Sequence, residues 1–111
     1  MMPVPGTVAE PGETIENDRE RDHEALYNVV LLDDNDHSYD YVVEMLCALF
    51  FMGPVTAFQH AVEVDTKGRT IVITCDREAA EFGRQQIHNY GADPRMERSQ
   101  GSMSAIVEPV S

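Results

Sequence analysis

A single α+β domain, with the order β-α-α-β-α-β and a small three-stranded sheet covered on one face by helices, is the fold class that this 111-residue sequence predicts. Three observations predict it. Two short β-branched runs, YNVVLL and RTIVITC, are too brief for helices and are bounded by turn formers. Three stretches carry apolar residues at helical spacing and are punctuated by Gly-Pro, Lys-Gly and Gly. The strands lie far apart with helical segments between them, as expected of an antiparallel or mixed sheet. A chain of this length makes one domain with a modest core, and it carries no internal repeat.

Residues 1–24, MMPVPGTVAEPGETIENDRERDHE, combine Pro, Gly and many charges with isolated apolar positions. Such a composition buries too little apolar surface to offset the entropy of ordering a backbone, so a disordered acidic tail is expected, and the domain occupies 25–111. YNVVLL at 27–32 is the first strand, and Asp33, Asp34 and Asn35 end it. From 40 to 52, Val42, Met45, Leu46, Leu49 and Met52 recur at helical spacing until Gly53-Pro54 interrupts them. Pro54 suits the first turn of a second helix, with Val55, Phe58, Ala61 and Val62 as its apolar stripe and Lys67-Gly68 as its end. The two helices form a hairpin.

RTIVITC at 69–75 is the second strand, and Asp76 is placed to cap a third helix whose positive N-terminal end Glu78 favours. Ala79, Phe82, Gln86, Ile87 and Tyr90 mark that helix's expected inner face, with Gly91 as its stop. Gly83 within it costs about 1 kcal/mol relative to Ala unless a close contact needs the missing side chain. ADPRMERSQGS is loop, and MSAIVEPV at 103–110 supplies the last strand.

Charge excludes some functions. A formal net charge of -12 opposes binding to phosphate backbones and to anionic membrane surfaces, so neither nucleic acid nor membrane is an expected partner. A cationic ligand is attracted. The most apolar run, VVEMLCALFFMG, is short and contains Glu44, and a cytoplasmic protein is expected. Cys47 and Cys75 lack CxxC spacing and are expected to be reduced thiols.

The stretch LLDDNDHSYDYVVEML raises three chemical possibilities. As a calcium loop it offers Asp33, Asn35 and Glu44 at suitable positions, but His37 stands where an oxygen ligand is needed and Ser38 where Gly makes the sharp turn. As a catalytic carboxylate cluster, Asp33, Asp34 and Asp36 could perturb one another's ionisation, yet no nucleophile accompanies them. His23, His37, His60 and His88 lack metal-ligand spacing. No metal, no cofactor and no enzymatic activity are expected.

The blocks YNVVLLDDND, YVVEML, AFQHAVEV, the Gly68 turn, DREAAEFGRQQIHNYG and the terminal IVEPV together resemble the ClpS family of Clp protease adaptors, over about 27–110. The resemblance implies a protein that binds the exposed N-terminal residue of a substrate (an N-degron) and hands the substrate to the N-terminal domain of a Clp AAA+ unfoldase for proteolysis. It implies a disordered arm ahead of the domain, and no chemistry of its own. The family's Asn-Asp-Asp turn corresponds to Asp33, Asp34 and Asn35, and its amine-contacting His to Asp65.

The family's Thr-Pro-Met segment corresponds to His37, Ser38 and Tyr39, so an aromatic replaces the gatekeeping Met. Val42 and Val64 match pocket valines, and Ala61 replaces a pocket Met. Glu78 matches an acidic docking position, while Gly83 stands where members usually carry Lys. The expected amine site is therefore Asp33, Asp34, Asn35 and Asp65, beside an apolar pocket of His37, Tyr39, Val42, Ala61, Val64 and Met103. The alternative is a diverged peptide-binding or regulatory module on the same fold that has lost recognition of terminal residues, which Asp65 and Gly83 favour.

Overall fold

LYNVVLL has the β-branched and apolar weight of a strand, and in the computed structural model, which describes residues 25–110, it forms β1 (Leu26–Leu32). The tail expected over 1–24 lies outside the described residues, as does Ser111. β1 is the middle strand. β2 (Arg69–Asp76) and β3 (Ala105–Pro109) flank it, both antiparallel, in the order β2-β1-β3. That position explains why Val29, Val30 and Leu31 are fully buried in succession, a pattern no edge strand would show.

Val29 and Leu31 belong to the core against which the helices pack. Val30, of opposite facing, pairs with Ile71 on one side and Ile106 on the other, and both of these stay partly exposed on the sheet's open face. The pairing with β2 shifts by one residue between Val29 and Val30, leaving Val72 without a partner across the ladder.

Three helices cover the other face. α1 (Tyr39–Phe50) starts at Ser38, whose Oγ accepts from the Tyr41 N–H, and buries Tyr41, Val42, Met45 and Leu46. It ends at Phe51, which adopts left-handed backbone (φ 56°) and is 90% exposed. α2 (Pro54–Lys67) begins with Pro54 in its first turn, where the missing N–H is not needed, and closes on Gly68, whose φ of 85° is open only to a residue without Cβ strain. α3 (Arg77–His88) starts at Asp76, whose Oδ1 accepts from the Ala79 N–H at 2.8 Å.

Two helix faces differ from expectation. In α2 the buried residues are Ala57, Ala61 and Val64, while Val55, Phe58 and Val62 point outward. In α3 they are Ala80, Gly83 and Ile87, and Phe82 is exposed. Each inner face pairs two small residues, Ala57 and Ala61 or Ala80 and Gly83, with one β-branched residue, Val64 or Ile87, so close approach at the small positions sets which side of the helix turns inward. A Cβ on Gly83 would lie 3.3 Å from the Phe50 ring, so position 83 faces inward, away from any docking surface. α3 also stops at His88 and Asn89, before Gly91. Among the described residues, no helix is long and apolar enough to cross a membrane.

Candidate functional site

The turn that leaves β1 is built by its own acidic side chains. Asp33 Oδ1 accepts from the Asn35 N–H at 3.4 Å and Asp34 Oδ1 from the Asp36 N–H at 3.0 Å, each a carboxylate folding the backbone two residues on. Asn35 takes left-handed backbone (φ 63°), which its short polar side chain tolerates. The Asp33 N–H donates to the Gly68 carbonyl at 3.1 Å, which sets the turn beside the end of α2. Arg98 then ties the turn from outside, donating to the Asn35 carbonyl and pairing with Asp36 at 3.0 Å.

His37 is a polar strut in this structure rather than a wall of an apolar cavity. Its side chain is 3% exposed, Nδ1 lies 2.8 Å from Asp34 Oδ1, and Nε2 lies 2.7 Å from the Gly101 carbonyl. The ring thereby joins the acidic turn to the loop before β3. Asp34, expected among the amine-binding acids, is engaged by His37 and by the Asp36 N–H through the same oxygen. Among the described residues no three His, Cys, Asp or Glu side chains are grouped as metal ligands.

Asp93 is the residue that sequence reasoning missed. It is 1% exposed, and its Oδ2 accepts from both the Ser38 N–H (2.7 Å) and Ser38 Oγ (2.8 Å), while Oδ1 accepts from the Arg95 N–H. Burial alone would raise its pKa, but the hydrogen bonds from Ser38 and Arg95 outweigh that and hold it at about 2. A carboxylate 55 residues away thus completes the start of α1. Only the Ser38 cap itself was open to detection in the sequence, as a Ser just ahead of an apolar period.

At the seam between α1 and α2 stands Tyr39. Its hydroxyl donates to Asp65 Oδ2 at 2.6 Å, and its ring meets Phe58 edge-on with centroids 5.7 Å apart. Phe58, Ala61 and Asp65 follow one another at helical spacing along α2, so a ring touching the first and last lies over Ala61. The hydrogen bond to Asp65 is the main cause that raises the Tyr39 pKa, with burial and the charges of Asp65 and Asp33 adding to it. Asp33 and Asp65 are accordingly the two carboxylates whose field meets at this phenol.

Val42, Ala61, Val64 and Met103 come together from α1, α2 and the loop before β3 in one core cluster, each at most 4% exposed. The structure therefore brings Asp33, Asp65, Tyr39 and the four apolar residues to one end of the helix hairpin. Such a place offers negative charge and oxygen acceptors above an apolar interior. Glu78 stands apart on the exposed surface of α3, in a shallow depression shared with Glu81, Phe82, Gln85 and His88.

Comparison with known proteins gives two findings. The family model described as "ATP-dependent Clp protease adaptor protein ClpS" matches residues 22–96. The fold is similar to that of Agrobacterium tumefaciens ClpS2, solved bound to L-phenylalaninamide, with a TM-score of 0.67 and 24% identity over 78% of this chain and 99% of that one.

Proposed function

The chain belongs to the ClpS family of ATP-dependent Clp protease adaptors, and from that membership we propose that it binds the N-terminal residue of substrate proteins and delivers them, in the cytoplasm, to a Clp AAA+ unfoldase. It works by binding and carries out no chemical step. The observation that carries this reading is Asp65, a carboxylate that accepts from the Tyr39 hydroxyl where the start of α1 meets the end of α2, the same helix turns that send Val42, Ala61 and Val64 into the core.

An α-ammonium is a triple donor with a full positive charge, so it takes acceptors that themselves carry negative charge. Asp65 and Asp33 supply those acceptors, with Asn35 and Asp34 at the rim of the same turn. The side chain of the bound residue enters among Val42, Ala61, Val64 and Met103. Tyr39, 38% exposed and in the first residue of its helix, swings aside to admit it, and the ammonium takes over Asp65 from the phenol. That the relative from Agrobacterium holds an amino-acid amide with a free amine is consistent with this use of the fold.

The test is a titration with peptides differing only at their first residue, each with a free or an acetylated amine. Free-amine peptides are expected to bind, and acetylation or Asp65→Asn to weaken them about tenfold or more, as loss of a charge-assisted hydrogen bond does. Indifference to acetylation ends the proposal. Delivery rests on Glu78, whose acidic side chain is exposed in the first turn of α3. Capture of a Clp unfoldase N-terminal domain by the full chain, and its loss in Glu78→Lys, tests that step separately.

A second reading is a module on this fold that binds peptides or regulates an unfoldase without reading termini. It is favoured by the burial of Val42, Ala61, Val64 and Met103 and by the occupied state of Asp34 and Asp65. Peptide binding that ignores acetylation, together with capture of the unfoldase domain, is its signature.

A further inference from the structure

The outward face of α2 carries Val55, Phe58 and Val62, which are 74%, 50% and 36% exposed. Helix periodicity places all three on one stripe, and that stripe runs into the site already described, since Phe58 touches Tyr39 and Asp65 lies one turn beyond Val62. We propose that this stripe is a second binding surface, which takes the apolar side chains of an extended substrate polypeptide downstream of its first residue.

The dimensions select the occupant. Along the helix, at about 1.5 Å per residue, Val62, Phe58 and Val55 lie roughly 4.5, 10.5 and 15 Å from Asp65. An extended chain anchored by its ammonium at Asp65 advances about 3.3 Å per residue and presents alternate side chains to the same side. Its second, fourth and sixth residues fall roughly 3.3, 10 and 16.5 Å from the anchor, in step with Val62, Phe58 and Val55. Odd positions beyond the first face solvent. A globular partner would need no such period, and a second copy of a chain of net charge -12 is repelled.

The surface rests on the terminal-amine reading, and one set of peptides separates the two. Two free-amine peptides of identical composition carry their single downstream Leu at position four or at position five, and each is also made in acetylated form. The position-four peptide is expected to bind the full chain about five-fold tighter than its isomer, as partial burial of one Leu provides. Phe58→Ser is expected to abolish the difference, and Val55→Ser, at a more exposed position, to leave it in place while erasing a matching preference at position six; far-ultraviolet circular dichroism checks that both variants fold.

Equal affinity of the two isomers, with acetylation still abolishing binding, overturns the second surface and leaves the amine site standing. Binding that ignores acetylation overturns both. A shift from dimer to monomer on Phe58→Ser, seen by sedimentation, assigns the stripe to self-contact and overturns the proposal.

Discussion

Asp93 shows how one side chain can decide whether a neighbouring element starts in the right place. Its carboxylate receives two hydrogen bonds from Ser38 and two from Arg95, so the first turn of α1 is fastened to a loop that precedes β3. Tyr39 is the next residue, and its aim at Asp65 depends on that fastening. Because Asp93 is held at about 2, below its ordinary value, its contribution to stability is present in full above about pH 4 and is lost as the pH falls toward 2. Asp93→Asn is expected to lower stability by about 1–2 kcal/mol at neutral pH through weakened capping and loss of the Arg95 pair. Urea unfolding of both forms at neutral pH and at pH values between 4 and 2 checks this: the gap narrows on acidification, and a gap independent of pH would show that the carboxylate charge is not what holds the turn.

The helices are rotated by about one position from where their apolar residues point in the sequence, and the reason is space. On α2 the inner positions are Ala57, Ala61 and Val64, and on α3 Ala80, Gly83 and Ile87, so two of the three inward positions on each helix are Ala or Gly. Apolar spacing along the sequence selects Phe58, Val62 and Phe82, all of which are exposed. At Gly83 the approach is close: a Cβ there would stand 3.3 Å from the Phe50 ring and 3.6 Å from Val29. The Phe50 ring lies at the end of α1 and is only half-buried, so it can yield a few tenths of an ångström. Gly83→Ala is expected to leave stability within about 1 kcal/mol, the gain in helix propensity offsetting the displaced ring. Gly83→Val, which adds two methyl groups beyond the Cβ of Ala, is expected to cost about 2 kcal/mol, read from the midpoint of chemical denaturation.

For the whole molecule the governing quantity is charge. With 20 acidic and 8 basic residues the chain attracts cationic chain ends from a distance, and the field is screened by salt. Association of a free-amine peptide is therefore expected to slow about tenfold between roughly 0.05 and 0.5 M salt, while its dissociation rate changes much less. Stopped-flow measurement at the two salt concentrations separates these; a change confined to dissociation would place the electrostatics in the contact itself and not in steering. Arg95 pairs with Glu44 and Asp93, Arg98 with Asp36, Arg69 with Glu108, Arg84 with Glu81 and Lys67 with Glu63, so cations are spent on acids and the excess negative charge remains for solvent and partners.

The order of the elements was legible in the sequence because it rests on local chemistry: β-branched runs make strands, Gly53-Pro54 and Gly68 punctuate helices, and Asp76 caps where expected. The acidic turn and the block pattern of the family were legible for the same reason. Tertiary structure alone decided that β1 is the central strand, that Ala57 and Gly83 face inward, that His37 is spent as a strut, and that Asp93 reaches Ser38. Those outcomes depend on which surfaces are close in space, a property of the packed whole that no window of neighbouring residues contains.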